Sequence, residues 1–169
     1  MPALLTAQAA TDPENTLVIE LKDKKKVVIA MRPDLAPQHV ARYKKLAREG
    51  FYNGVKWHRV ISGFMAQTGD PTGTGAGGSN YPDLPAEFTN TPFERGTLGA
   101  ARTNQPNTAN SQFFITFTRT PHLNGAYTVW GKVVEGMQHV DNIKKGAPGT
   151  GSVNDPDVMV RVYVASDEK

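Results

Sequence analysis

Short strand-like runs cut off by glycine and proline recur through this chain, and they restrict its fold more than any other feature. "TLVIELKDKKKVVIAMR" is two alternating runs around a Lys-rich turn, Lys22 to Lys26, and reads as a β-hairpin with a solvated tip. Further runs are "WHRVI", "FMAQT", "TLGAAR", "QFFITF", "YTVWGKVV" and "VMVRVYVA". Only two stretches have a helical period. "RPDLAPQHVARYKKLAREGFY" puts Pro37 in a first turn, repeats Val40, Tyr43, Leu46 and Ala47 on one face, and stops at Gly50. "GMQHVDNIKKG" sets Met137, Val140 and Ile143 on one side. About eight strands and two helices joined by Gly/Pro turns predict a mainly β chain closed into a barrel, rather than an α/β sheet.

A chain of 169 residues, 38% hydrophobic and 21% charged, suffices for one domain with its own core. No internal repeat or interdomain linker is visible. Order is expected to begin at Thr16, which divides the chain into a flexible extension over 1–15, a domain over 16–165 and a tail over 166–169. The opening "MPALLTAQAATDPENT" contains "AQA", which resembles a signal-peptidase site, but it lacks a basic n-region and its apolar run is short for an h-region. It reads as an extension on a cytoplasmic protein; a trimmed signal sequence would instead make the protein periplasmic or secreted. The formal net charge of +3 is too slight to argue for nucleic acid, and no apolar run approaches a bilayer span. Nothing suggests assembly beyond a monomer. The absence of cysteine excludes disulfides, thiolate chemistry and Cys-ligated zinc, and His39, His58, His122 and His139 are scattered without ligand-like spacing.

Two segments carry candidate chemistry. "GVKWHRVISGFMAQTGDPTGTGAGG" ends in a formal G-x-G-x-x-G at Gly73, Gly75 and Gly78. A dinucleotide fingerprint must follow a strand and open a helix, whereas here the glycines lead into "SNYPDLPAEF", where Pro82 and Pro85 oppose a helix start. No Lys-Ser/Thr follows Gly78 either, so the glycines read as a mobile surface loop. In "QFFITF", Phe113, Ile115 and Phe117 share one strand face and Gln112, Phe114 and Thr116 the other. The first set is expected in the barrel core, and it would fill a small interior and leave no room for a ligand there. By the same parity Arg59 groups with Met65 and Gln67, provided no bulge intervenes at Gly63. An exposed Phe114 and an exposed Met65 beside Arg59 and Gln67 would make an apolar, hydrogen-bonding groove on the outside of the barrel. The competing reading has Phe114 tucked under a loop and Arg59 in a surface ion pair.

The segments "FYNGVKWHRVISGFMAQTGDPTGTG", "NSQFFITF" and "LNGAYTVWGKVVEGM" resemble the cyclophilin family of peptidyl-prolyl cis-trans isomerases, with similarity from about Thr16 to Ala165 and a pattern nearest to compact bacterial members. The resemblance implies an eight-stranded antiparallel barrel capped by two helices, with the active groove on its outside. It also implies Arg59 as catalytic arginine, Phe64 and Met65 as pocket residues, and Gln67 as a substrate-binding residue. It takes Gln112 and the proline-pocket aromatic Phe114 from "SQFFI", and apolar Leu123 from "PHLNGAYTVWG". "AARTNQPN" aligns with the family's substrate-backbone clamp, placing Arg102, Thr103 and Asn104 there. Two departures lie at the rim of the proline pocket: His122 stands where many members carry tryptophan, and Tyr127 where many carry histidine. The implied partners are proline-containing peptides and folding or unfolded chains. Cyclosporin, which family members bind in this groove, is expected to bind with reduced affinity, because His122 offers a smaller and more polar ring than tryptophan.

The expected reaction suits these residue types. Twisting an X-Pro amide breaks resonance, with a barrier of ~18–20 kcal/mol, but makes no bond, so it needs no nucleophile, metal or cofactor. A barrel that merely docks Pro-containing segments is the alternative, and the presence of Arg59 favours the enzyme, since docking alone has no use for that donor.

Overall fold

The alternating runs on either side of the Lys-rich turn form the expected hairpin. Strand β1 (Thr16–Glu20) pairs antiparallel with β2 (Lys26–Met31), and a single 3-10 turn, Lys22–Lys24, joins them. The computed structural model describes residues 12–168. Residues 1–11, which hold "AQA" and most of the expected N-terminal extension, and residue 169 lie outside the described residues.

After the hairpin comes helix α1 (Pro37–Arg48), opened by Pro37 and followed by β3 (Val55–Lys56) and the hairpin β4 (Arg59–Ile61) and β5 (Met65–Thr68). A long irregular segment leads to β6 (Thr97–Ala100) and then β7 (Phe113–Thr116). Strand β8 (Val129–Glu135), helix α2 (Met137–Asp141), β9 (Val158–Met159) and β10 (Arg161–Val164) complete the order. Eight strands form one curled antiparallel sheet in the order β10-β1-β2-β8-β6-β7-β5-β4.

Two expectations need adjustment. The run "VMVRVYVA" is not one strand: it steps at exposed Val160 from β9, which pairs with β3 in a separate two-stranded ribbon, to β10, which pairs with β1. The barrel is also not closed by a continuous ladder, because β10 and β4 stand at opposite ends of the strand order. Irregular chain satisfies both edges. Asn53 Oδ1 accepts from Val162 N on β10 (2.9 Å). On β4, Val60 N donates to Gly151 O and Val60 O accepts from Gly146 N, both at 2.8 Å.

The concave face of the sheet holds the core, where Ile29, Leu98, Phe113, Ile115 and Trp130 are fully buried. Helix α1 adds the stripe read from its period: Val40, Tyr43, Leu46 and Ala47 are all buried, and Tyr43 packs against Trp130 (ring centroids 4.2 Å) and Phe113 (5.6 Å). Helix α2 buries Val140, and Ile143 just beyond it.

Candidate active site

The convex face of the same strands carries a second, smaller apolar cluster. Strands β4 and β5 are joined by a tight turn in which Phe64 N donates to Ile61 O (3.0 Å), and Gly63 takes the left-handed conformation the turn requires (φ 75°). Gly63 therefore makes the turn and no bulge, so parity runs unbroken from Arg59 to Gln67 and from Ile61 to Met65. The register then places Gln67 opposite Phe114, Phe114 opposite Gly99, and Gly99 opposite Val129. One outward row thus crosses five strands as Arg59, Gln67, Phe114, Gly99 and Val129.

Within that row and beside it, Phe114 and Met65 are not the exposed groups expected from the pattern. Phe114 is 5% and Met65 2% exposed. The cause at Phe114 is Phe93, from the irregular segment before β6, which is fully buried and stacks on Phe114 (centroids 5.7 Å, interplanar 20°). Gly99 makes the space: a Cβ there would lie 2.5 Å from Phe114 Cζ and 2.7 Å from Phe93 Cε2. Tyr127 meets Phe114 edge-on (5.7 Å, 88°), and Leu123 and Val129 complete the cluster. Phe114 and Met65 form the floor of a hollow rather than a projecting patch.

That hollow is a cavity of about 130 Å³, walled by Phe64, Ala101, Leu123 and Tyr127 over the Phe114 and Met65 floor, with Arg59, Gln67 and Arg102 at its polar side. It is much smaller than the ~300–1,000 Å³ of drug-sized pockets, and it suits a single small ring. A larger cavity of about 570 Å³ adjoins it and shares Gln67, Ala101 and Arg102. Thr103 and Gln112 line the larger one, together with the glycine-rich loop from Gly75 to Ser79. Asn104 and His122 line neither. Asn104 is exposed in a bend, and exposed His122 packs against the outer side of Phe64 (centroids 5.4 Å).

A hydrogen-bond relay connects the two cavities. Arg59 donates from Nη1 to Gln67 Oε1 (3.2 Å) and from Nε to Thr150 O (3.2 Å). Gln67 Nε2 donates to Gln112 Oε1 (2.9 Å), and Gln112 Nε2 to Gly75 O (3.0 Å) and Gly77 O (2.9 Å). These bonds fix both amide orientations and leave Arg59 aimed by neutral oxygens. No carboxylate among the described residues pairs with it.

The glycine loop expected to be a mobile surface feature is wound around one carboxylate. Fully buried Asp70 accepts from Thr72 N (2.8 Å), Thr72 Oγ1 (2.7 Å), Thr74 N (3.1 Å) and Gly75 N (2.6 Å). Burial alone would raise its pKa, but the donors from Thr72, Gly77 and Gly75 outweigh it and hold the carboxyl down at about 2. His58 lies behind the loop, and burial lowers its pKa against the opposing pull of Asp70, which favours the neutral ring at pH 7.

Arg102 occupies the junction of the cavities. It donates from Nε (3.0 Å) and Nη2 (2.6 Å) to Ala126 O and from Nη1 to Thr103 O (2.9 Å). Its guanidinium lies over the Tyr127 ring (4.5 Å) and near the Phe88 ring (5.9 Å). The neighbouring rim is tied to α1 through Glu87, which accepts from His39 N (3.0 Å) and contacts buried His39 Nδ1 (2.7 Å). The main-chain N–H and C=O of Arg102 have no main-chain partner among the described residues, so they remain free for a bound backbone.

Residues the pattern did not single out are Phe93, Gly99, Ala101 and the Thr150 carbonyl. Gly99 had a signal, since glycine inside a strand marks a close approach. Phe93 and Thr150 sit in irregular chain with no periodicity.

Comparison with known proteins bears on the family and the fold. The family model described as "Cyclophilin type peptidyl-prolyl cis-trans isomerase/CLD" matches residues 16–164. A probable peptidyl-prolyl cis-trans isomerase of Brucella suis biovar 1 is 56% identical over 179 residues, covering 99% of this chain and 90% of that protein. Peptidyl-prolyl cis-trans isomerase B of Bacillus subtilis is 44% identical over 128 residues, covering 75% of this chain and 88% of its own. Among solved structures, cyclophilin AquaCyp293 from Hirschia baltica superposes with a TM-score of 0.82 at 27% identity, covering 94% of this chain and 76% of that one. A Cryptosporidium parvum cyclophilin-type isomerase, solved in the presence of the dipeptide Ala-Pro, gives 0.79 at 27% identity, covering 88% and 98%.

Proposed function

The chain belongs to the cyclophilin-type peptidyl-prolyl cis-trans isomerases, and from that premise we propose that Arg59 drives the reaction by hydrogen bonding to the prolyl nitrogen as the amide twists. In the planar amide the nitrogen lone pair is delocalised and accepts poorly. In the twisted amide it localises and accepts well. A donor placed there gains its interaction mainly in the transition state, which is the condition for acceleration.

The observation that carries this reading is the placement of Arg59 beside the small apolar cavity, oriented by Gln67 Oε1 and Thr150 O and free of any carboxylate among the described residues. Two engaged N–H groups leave the rest of the guanidinium's five donors for a ligand. The proline ring occupies the hollow over Phe114 and Met65, and the apolar walls exclude water and strengthen the Arg59 bond. Gln67, held by Gln112, fixes the peptide backbone on one side of the bond, and the open main chain of Arg102 holds it as well, so that the other side turns against a held partner. Proline-containing peptides and folding chains are the substrates. The similar Cryptosporidium protein, solved in the presence of Ala-Pro, supports that ligand class. Cyclosporin binds the same groove, weakened at the rim where His122 packs against Phe64 and faces neither cavity.

The test is an X-Pro peptide exchange assay on Arg59→Ala, with melting followed in parallel. Loss of one preorganised donor should slow isomerisation by roughly a hundredfold or more, while stability holds because Arg59 is exposed. Arg59→Lys should also be impaired, because a point charge does not reproduce the fork. Near-normal turnover by folded Arg59→Ala overturns the mechanism.

A further inference from the structure

Two arginines, Arg59 and Arg102, border the small apolar cavity, and no carboxylate lines it. Both guanidinium groups are held by neutral oxygens: Arg59 by Gln67 and Thr150, Arg102 by Ala126 and Thr103. The site therefore carries two fixed positive charges with no internal counter-charge. The larger cavity offers one acid, Asp83, and its Oδ1 accepts from Asn110 Nδ2 (3.1 Å).

Arg102 lines both cavities, so a peptide with its proline in the small one and its chain running into the large one passes directly beside it. Its fork is already immobilised by three hydrogen bonds and by the Tyr127 face, and two of its five N–H donors remain unused. A preorganised, half-buried cation loses little entropy on pairing and is a ready partner for a carboxylate. We propose that Arg102 is a specificity-determining residue that makes this isomerase favour substrates with an Asp or Glu side chain within two residues of the proline, on the side that lies across the larger cavity. The proposal rests on the reading that the proline ring enters the small cavity.

The experiment compares kcat/KM for matched peptides that differ only as Glu against Gln. One series varies the residues before proline and the other the residues after it, at low ionic strength, with a neutral Ala-Pro peptide as reference. One series should show a Glu preference of roughly threefold, the scale of a partly exposed ion pair, and added salt should erase it. Arg102→Gln should bring that ratio to unity and Arg102→Lys should keep part of it, each ratio being read within one variant. A wild-type ratio of one in both series overturns the proposal, as does a ratio that survives Arg102→Gln. Equal loss on Glu and Gln peptides in Arg102→Gln shows only that Arg102 props up the Ala126 loop, and also overturns it. Failure of the underlying site reading is distinct: the neutral peptide would then turn over normally in Arg59→Ala.

Discussion

The two faces of β4 to β7 are built from alternate residues of the same few strands, yet they do opposite work. Inward, Val60, Ala66, Ile115 and Leu98 belong to the same closed core as the buried stripe of α1. Outward, Met65, Phe114 and Val129 are nearly as buried, but Phe93 packs on their cluster from one side and the other side opens on the cavity that Leu123 helps to wall. Low exposure thus has two meanings in this molecule. Inside, it marks contact with the rest of the protein. Outside, it marks the floor of an open cavity.

The largest effects should separate those meanings. Phe113→Ala removes a fully buried ring from the closed core and should cost about 3–5 kcal/mol of stability. Phe114→Ala, one residue away, should cost clearly less in melting, because its neighbours already face a hollow, yet it should lower kcat/KM sharply. Equal destabilisation of the two would abolish the distinction between the faces.

Gly99→Ala sharpens the same contrast by adding an atom. Its Cβ would fall within 2.7 Å of both Phe93 and Phe114, so one ring must move. Overpacking of this kind should cost about 1–3 kcal/mol and displace the cavity floor, so that KM for X-Pro peptides rises. An unchanged KM would show that the aromatic stack does not set the floor.

Asp70 extends the comparison to the wall. Its folded pKa of about 2 lies below the ordinary 3.8, so it stabilises the protein above about pH 4 and loses that contribution as pH falls through about 2. The contribution is about 2 kcal/mol at neutral pH by linkage. Amide exchange at Gly75 and Gly77 should accelerate across that acid window before the core amides do, and Asp70→Asn should show the faster exchange already at pH 7. Synchronous opening of loop and core would mean that the wall is not separately held.

The smallest change is at the rim. His122→Trp should tighten cyclosporin inhibition about tenfold while altering short-peptide turnover less, since His122 faces neither cavity. If both forms are inhibited equally, Tyr127 or the main chain near Arg102 sets the affinity.

How much was legible in the sequence depends on the range of the cause. The period of two in "QFFITF" and "FMAQT" assigns Phe113 and Ile115 inward and Arg59, Met65, Gln67 and Phe114 outward, because alternation is a property of the strand itself. The helix α1 stripe is readable for the same reason. Burial of the outward set is not, because it depends on Phe93, which arrives from irregular chain and leaves no period. The glycine loop reads as loose because its order comes from one side chain, Asp70, gathering main-chain donors that pattern does not display. Closure also escapes local pattern: whether β10 meets β4 is decided by the chain that fills the seam.

That seam bears on how Arg59 is held. Strand β4 is the last in the sheet, and the segment that covers its edge through Gly146 and Gly151 also supplies the Thr150 carbonyl that orients Arg59. Surface segments accept substitution and changes of length far more readily than strands do. The aim of the guanidinium can therefore be retuned, in nature or in the laboratory, from a stretch of chain that lines neither cavity. If Arg59 acts as proposed, its donor geometry is adjustable from the edge of the sheet, apart from the residues that line the cavities around it.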